Sequence, residues 1–157
     1  LNALAQEHGV GVIVAPNFAL GAVLLIHLAG LAARFFDHAE IMEAHHEAKV
    51  DAPSGTALAI ADALEAGHGG PFSRPSPQTE PVEGSRGADQ SGISIHATRM
   101  PGRLAHHEVV LGTTGQTITL RHDTINRECY MPGVIAAIRK VVEYKGLVVG
   151  LEKVLGF

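Results

Sequence analysis

The chain has 157 residues, of which 46% are hydrophobic and 18% are charged, and its formal net charge is −4. This length supports one well-buried domain, and the composition is ordinary for a globular protein. The acidic balance and the absence of a basic run argue against a nucleic-acid partner. The single cysteine, Cys129, cannot form an internal disulfide, which favours a reducing, cytoplasmic location.

The chain opens with a helical pattern at residues 1–7 and an apolar stretch at residues 9–33 that contains no Asp, Glu, Lys or Arg. A membrane span needs about this length. Pro16 interrupts the stretch, however, so we expect a buried strand at Val10–Val14, a buried helix at Phe18–Phe36 and no membrane partner. Because the first residue is Leu and not Met, we expect a segment of a longer protein.

The middle of the chain predicts a strand, a helix and a long irregular arm. Ala39–Ala44 has the character of a short strand, and Ser54–Glu65 predicts a helix with Ser54 as its N-cap. Gly67–Gln90 is rich in proline and glycine and has no periodicity. Since it is longer than an ordinary connection, we expect an arm that is functional, disordered or in contact with a partner subunit.

The last part of the chain predicts three strands and a helix. Apolar residues alternate with polar ones at residues 93–98, and Glu108–Gly112 and Thr117–His122 follow, joined by a hairpin. An apolar stripe predicts a final helix at Tyr130–Tyr144. Together the elements predict an α+β fold: an open mixed sheet of about four strands with helices on one face, preceded by a remnant strand of a Rossmann-type domain.

The segment from Glu43 to Ala57 concentrates residues that carry chemistry: Glu-Ala-His-His-Glu-Ala-Lys-Val-Asp-Ala-Pro-Ser-Gly-Thr-Ala. The Pro-Ser-Gly-Thr portion predicts a helix start, where unpaired backbone N–H groups attract an anion. Gly55 allows a ligand to approach the backbone closely. An ordinary capped helix also fits this pattern; if it is a site, its ligand is a carboxylate or a phosphate.

Two adjacent histidines and a lysine stand beside this helix start. In an extended segment His45 and His46 point to opposite faces, so only one of them faces a given ligand. Lys49 follows after a turn, and a lysine or histidine that is partly desolvated has a pKa suited to proton transfer. Both a structural pair and a catalytic pair of histidines fit these residues.

Two other interpretations remain open at this stage. The histidines suggest a metal-binding module with candidate ligands His45, His46, His106, His107 and His122. No His-x-x-x-His pair on a helix and no cysteine pair supports it, so we predict no metal. The other interpretation is an inactive oligomerisation module. Three arginines, Arg99, Arg121 and Arg127, are expected on the surface.

The motif at residues 43–57 resembles that of 4-hydroxy-tetrahydrodipicolinate reductase, also called dihydrodipicolinate reductase, an enzyme of lysine and diaminopimelate biosynthesis. Residues 15–18 resemble the family's junction between domains, and residues 112–134 resemble its carboxyl-terminal sheet and helix. The resemblance implies reduction of a cyclic dicarboxylate with NADPH or NADH, and a homotetramer assembled through the sheets.

The resemblance also implies roles for individual residues. His45 and Lys49 are expected to be catalytic, as general acid/base and proton donor. His46, Ser54, Gly55 and Thr56 are expected to bind the substrate carboxylates. The nicotinamide is expected against the residues Ala15, Pro16, Asn17 and Phe18.

The resemblance implies three regions along the chain. Residues 1–16 are expected to be the remnant of a dinucleotide-binding domain, residues 17–146 the substrate-binding and tetramerisation domain, and residues 147–157 a segment that packs on the nucleotide domain. No Gly-x-Gly-x-x-Gly motif occurs in this chain. We therefore expect the proton-donating half of a reductase, which alone has little or no activity.

Overall fold

A computed structural model describes residues 1–157, and its elements follow one another in the order helix, strand, helix, strand, helix, four strands, helix, strand and helix. Their bounds are α1 Asn2–Glu7, β1 Gly11–Val14, α2 Leu20–Ala33, β2 His38–His45, α3 Gly55–His68, β3 Ala88–Gln90, β4 Ile93–Arg99, β5 Ala105–Thr113, β6 Gln116–Thr124, α4 Met131–Val141, β7 Gly146–Val149 and α5 Leu151–Leu155. None of the helices has the length and apolar character that crossing a membrane requires.

The chain divides into two compact units. One consists of Leu25–Ile125, and the other combines Leu1–Leu24 with Asn126–Phe157. The expected boundaries after residues 16 and 146 stay predictions, since the compact units also place residues 17–24 and 126–146 with the two terminal segments.

The larger unit is built on a mixed five-stranded sheet in the order β3-β4-β2-β5-β6. The α+β architecture is confirmed, with one strand more than the four expected, because the end of the irregular arm pairs with β4 as β3. Strand β2 is parallel to β4 and antiparallel to β5. The predicted hairpin is also confirmed: β5 and β6 pair through Thr113 and Gln116, which leaves a two-residue turn.

One face of this sheet is covered by helices. The other, called the open face below, has no helix of the larger unit on it, although Arg74 and Arg86 of the irregular arm cover Ser94 there. Along β2, the buried residues Ala39, Ile41, Glu43 and His45 alternate with partly exposed ones, as a half-buried strand requires. The apolar members of the covered face form one core with helix residues and Phe72: Leu25, Ala29, Ala33, Ala39, Ile41, Ala57, Ile60, Ala61, Leu64, Ile93, Ile95, Val109 and Leu111.

Helix α3 starts and ends where its sequence predicts local capping. The Ser54 hydroxyl accepts a hydrogen bond from the Ala57 amide at 3.2 Å, and Gly69 ends the helix in the left-handed conformation. The helix runs three residues beyond the expected end at Glu65. Helices α2 and α4 are shorter than expected, ending at Ala33 and Val141.

The smaller unit contains a two-stranded parallel sheet. Strand β1 pairs with β7 from Gly11–Gly146 to Val14–Val149. The sequence analysis did not identify β7, whose four residues are too short for a clear alternation. Val23, Ala137, Leu151 and Val154 form the core of this unit.

Candidate active site

The residues of the predicted site lie at one edge of the five-stranded sheet. Strands β2 and β4 are parallel and end together at His45 and Arg99, and β5 begins opposite them at Ala105. The chain then passes through residues 46–54 into α3. The carboxyl ends of parallel strands and a helix start therefore meet at the same edge, a common location for a ligand site.

His45 is held by a buried carboxylate. Its Nδ1 lies 2.6 Å from Glu43 Oε2, and the two side chains are 9% and 0% exposed. Arg99 binds the same carboxylate in a bidentate way, with Nη1 and Nη2 each 2.8 Å from one of its oxygens. Two residues apart on β2, Glu43 and His45 face the same side, and Arg99 is the β4 partner of His45.

Burial and neighbouring groups shift the pKa values of both Glu43 and His45. Burial alone would raise the pKa of Glu43, but hydrogen bonds from Arg99, His45 and the Ser54 amide outweigh it and hold the pKa below the usual range. Burial lowers the pKa of His45; Glu43 opposes this effect, while Lys49 and Arg99 reinforce it, and the net shift is downward.

Ser54 connects this cluster to the start of α3. Its backbone N–H donates to Glu43 Oε1 at 3.0 Å, and its hydroxyl lies 3.1 Å from Nε2 of His107. The His107 ring stands edge-on to that of His45, with 5.2 Å between the ring centres. Burial, with a contribution from the adjacent His45, lowers the pKa of His107 to about 4, so this ring is neutral at pH 7.

Lys49 and the first residue of α3 already share a carboxylate in this structure. Lys49 Nζ donates to Asp51 Oδ1 at 2.5 Å. Lys49 chiefly, with the backbone amides of Asp51 and Gly55, lowers the pKa of Asp51. Beyond its chain neighbours and its own helix, no atom lies within 4 Å of the place where a side chain on Gly55 would begin, so a ligand can approach this residue closely. Lys49 and the helix start thus reach one carboxylate together.

The six expected catalytic and substrate-binding residues lie in one continuous segment, but they differ in how far they are buried. His46, Lys49 and Thr56 are partly exposed and Gly55 is exposed, whereas Ser54 is 1% exposed. Ser54 uses its amide and hydroxyl within the protein, so its direct contact with a substrate stays a prediction. The individual roles of the other five residues are predictions as well.

The residues expected near the nicotinamide, Ala15, Pro16, Asn17 and Phe18, follow β1 in the smaller unit. Asn17 Oδ1 accepts a hydrogen bond from the Ala19 amide at 2.8 Å, which anchors the beginning of α2. Ala15 and Phe18 pack against the core of this unit. The segment therefore has a defined conformation at the carboxyl end of a parallel strand.

The structure gives three polar residues a place at the site that the sequence analysis did not assign to them. Arg99 was expected on the surface, but its side chain is only 17% exposed and pairs with Glu43. The sequence analysis did not identify Glu43 as the partner of His45, or His107 as the partner of Ser54. The spacing of two residues between Glu43 and His45 was the available signal, since such residues share a strand face.

Metal binding finds no support in the arrangement of side chains. Among residues 1–157, no group of three or more His, Cys, Asp or Glu side chains is placed to hold a metal ion. Of the five histidines considered as ligands, His106 lies on the open face, where its Nδ1 is 2.6 Å from Asp123 Oδ1. His45 and His107 lie on the covered face.

Comparison with known proteins agrees with this geometry. The family described as "Dihydrodipicolinate reductase, C-terminus" matches residues 21–155. The chain belongs to this family. Proteins named 4-hydroxy-tetrahydrodipicolinate reductase from Dehalococcoides mccartyi and Moorella thermoacetica are 51% and 50% identical over 152 and 157 residues.

These alignments include nearly all of this chain but only part of the relatives. They cover 97% and 100% of the chain, yet 57% and 58% of the two relatives, so the chain spans a little over half of their length. A solved structure of a dipicolinate-bound dihydrodipicolinate reductase from Paenisporosarcina sp. TG-14 is 46% identical, with a TM-score of 0.87. It covers 97% of this chain and 57% of that one.

Proposed function

We propose that the complete protein carrying this chain reduces 4-hydroxy-tetrahydrodipicolinate to tetrahydrodipicolinate, in lysine and diaminopimelate biosynthesis in the cytoplasm. The names of relatives about half identical to the chain support this reaction. Dipicolinate, bound by the related protein of known structure, is a planar cyclic dicarboxylate of the same class as this substrate. In this proposal the chain supplies the substrate-binding and proton-donating half.

The single observation that carries the proposal is the carboxylate of Asp51 between Lys49 and the start of α3. A substrate carboxylate that replaces the Asp51 carboxylate would meet the same cation and the same backbone N–H groups at the start of α3. His46, which directly follows β2, and Thr56, in the first turn of α3, are proposed to complete carboxylate binding. Ser54 contributes by fixing the helix start.

The reaction needs one hydride and one proton, and the hydroxyl group of the substrate leaves as water. His45 and Lys49 are proposed to exchange this proton with the substrate. Lys49 is 22% exposed and lies close enough for its charge to influence His45. Both groups therefore adjoin the carboxylate-binding amides, so a substrate held there has proton donors beside its ring.

NADPH or NADH is proposed as the cofactor and would supply the hydride when bound. The chain's own residues fit only the nicotinamide end of such a molecule: Ala15–Phe18 present a structured turn after a parallel strand, with Asn17 held by its hydrogen bond to Ala19. The chain contains no Gly-rich phosphate-binding motif. Residues 1–16 and 147–157 are proposed to join the nucleotide-binding domain, which the parallel pairing of β1 and β7 supports.

The proposed assembly is a homotetramer formed through the sheet. The face of β2, β4, β5 and β6 opposite the helices supports this idea, because no helix of the larger unit covers it. A face of this kind on a mixed sheet is a natural contact for a second copy.

The test is the steady-state rate of dicarboxylate reduction by the complete gene product and its Lys49→Ala variant. We expect kcat to fall by about 10²–10⁴-fold, the contribution of a positioned proton donor. Lys140→Ala is the matched control, since this exposed lysine pairs with Glu143 and is not among the residues proposed to bind substrate or cofactor. The control is expected to keep its rate.

Two results would contradict the proposal. A loss of less than about fivefold in Lys49→Ala removes the proton-donating role of Lys49. A wild-type protein that neither reduces the dicarboxylate nor binds dipicolinate by calorimetry would be an inactive oligomerisation module, the other function that the fold allows.

A further inference from the structure

The carboxylate of Glu43 makes four hydrogen bonds within the protein. Its Oε2 accepts from His45 Nδ1 and Arg99 Nη1, and its Oε1 accepts from Arg99 Nη2 and the Ser54 amide, over distances of 2.6–3.0 Å. The side chain is completely buried. Burying a carboxylate is costly unless it is paired and hydrogen-bonded, and here both oxygens are satisfied twice.

The ionisation state of Glu43 determines the tautomer of His45. Since the pKa of Glu43 is lowered, the carboxylate is ionised at pH 7 and only accepts hydrogen bonds. Nδ1 of His45 must therefore carry the hydrogen. Nε2 is then the ring atom at which a proton is gained or lost.

The sheet holds this arrangement rigidly. His45 pairs with Arg99 across the parallel strands β2 and β4, and Glu43 lies two residues before His45 on the same face. A bidentate arginine fixes both position and plane of a carboxylate. The orientation of the imidazole is thus set by two strands, and Arg99 Nη2 also donates to the Asp51 carbonyl in the loop that carries Lys49.

The same carboxylate also holds the beginning of α3. The amide of Ser54 donates to Glu43, and the Ser54 hydroxyl in turn caps α3 and contacts His107. Glu43 consequently links the imidazole of His45 to the helix start where the substrate carboxylate is proposed to bind. The distance between the His45 imidazole and the start of α3 therefore depends on this one side chain.

We propose that Glu43, clamped by Arg99, is a positioning residue for proton transfer by His45: it imposes the Nδ1–H tautomer, directs Nε2 toward the substrate and fixes the distance to the start of α3. The inference deepens the function proposed above and rests on the assigned role of His45. It also explains why an arginine at the end of β4 is partly buried.

The test is Glu43→Gln in the complete gene product. Glutamine keeps the volume. Its NH2 group cannot replace Oε1, which faces the two donors Ser54 N–H and Arg99 Nη2, so we expect it to replace Oε2, donate to Nδ1 of His45 and shift the ring hydrogen to Nε2. We expect kcat to fall by about 10²-fold with a smaller change in KM, since proton transfer is affected more than binding. In protein with ¹⁵N-labelled histidine, the His45 signal should change from the Nδ1–H to the Nε2–H tautomer.

A pH titration of the same signal gives a third readout. The charged or titratable groups facing His45 are Glu43, Lys49, Arg99 and His107. Only Glu43 is negative and favours the protonated imidazole. Its replacement by glutamine should therefore lower the pKa of His45, because the cations remain.

Glu40→Gln is the matched control. Glu40 lies three residues earlier on β2, on the open face, and also pairs with an arginine and a histidine: Arg86 at 2.7 Å and His96 at 3.2 Å. Both variants are first compared with wild type for molar mass in solution. The control should keep kcat within about twofold, as its Glu-Arg-His group does not touch the proposed site.

The positioning role is overturned if wild-type His45 carries its hydrogen on Nε2, a result that needs no variant. It is also overturned if folded Glu43→Gln retains the wild-type tautomer or loses less than about fivefold in kcat. A wild-type protein that has the Nδ1–H tautomer but no reductase activity contradicts the proposed reaction instead. The positioning role of Glu43 and the proposed reaction are therefore contradicted by different measurements.

Discussion

At the level of single residues, His107 shows how a polar side chain supports the site without facing solvent. It is 3% exposed, contacts the Ser54 hydroxyl and stands beside His45. A positive charge on His107 would be buried next to His45. Burial therefore lowers the pKa to about 4, and the neutral ring is the stable form in the folded protein.

This pKa predicts that acid destabilises the fold through His107. The unfolded chain protonates this histidine near pH 6.5 and the folded protein only near pH 4, so the contribution is present above pH 6.5 and is lost as the pH falls to 4. The loss is roughly 3 kcal/mol. Urea unfolding at pH 7 and pH 4 should show a smaller pH effect in His107→Gln than in wild type; equal effects would contradict this account.

At the level of elements, α2 and α3 approach closely through glycine. A Cβ atom added to Gly67 would lie 2.0 Å from the backbone oxygen of Gly30, and one added to Gly30 would lie 3.1 Å from that of Ala63. Backbone atoms cannot move aside as a flexible side chain does. The two helices therefore cover the sheet at this separation only because Gly67 has no side chain.

We predict that Gly67→Ala destabilises the protein by about 1–3 kcal/mol, the usual cost of overpacking, although alanine is the better helix former. Ala66→Gly is the control in the same turn. Ala66 is exposed, so its replacement reports helix propensity alone and should cost about 1 kcal/mol. Chemical denaturation measures both effects. A neutral or stabilising Gly67→Ala would show that the helices separate without cost.

At the level of the whole molecule, the open face of the sheet is the surface on which the proposed tetramer depends. Its residues include Glu40, paired with Arg86 and His96, and Arg121, paired with Asp123 and Glu108. Thr119 lies on this face, opposite Val110, and is exposed. The charges on this face are already paired within the protein, so a second copy packed on it would bury few unpaired charges.

We predict that the complete gene product sediments as four copies and that Thr119→Arg produces smaller species. The introduced arginine adds bulk and an unpaired charge to a surface that would be buried on assembly. Ala66→Arg, on the exposed side of α3, is the control and should leave the mass unchanged. Analytical ultracentrifugation distinguishes the outcomes, and an unchanged mass for Thr119→Arg excludes assembly through this face.

Much of the fold could be predicted because its signals are local. The alternation in β2, the cap at Ser54 and the turn between β5 and β6 depend on residues a few positions apart, so the sequence alone indicates them. The same holds for the segment from His45 to Thr56, where proton donors and a helix start are consecutive. Strand β7 was missed because its apolar residues come directly after the predicted helix, and only the pairing with β1 distinguishes them as a strand.

The sequence by itself determined which chemical groups are present and that His45, Lys49 and the start of α3 are near one another. Only the tertiary structure decided what holds them. Arg99 is 56 residues from Glu43, and His107 is 53 residues from Ser54. Such pairs form when β4 and β5 settle on either side of β2 in a particular register, and a register is chosen by burying apolar faces across the whole sheet. No local pattern contains that information.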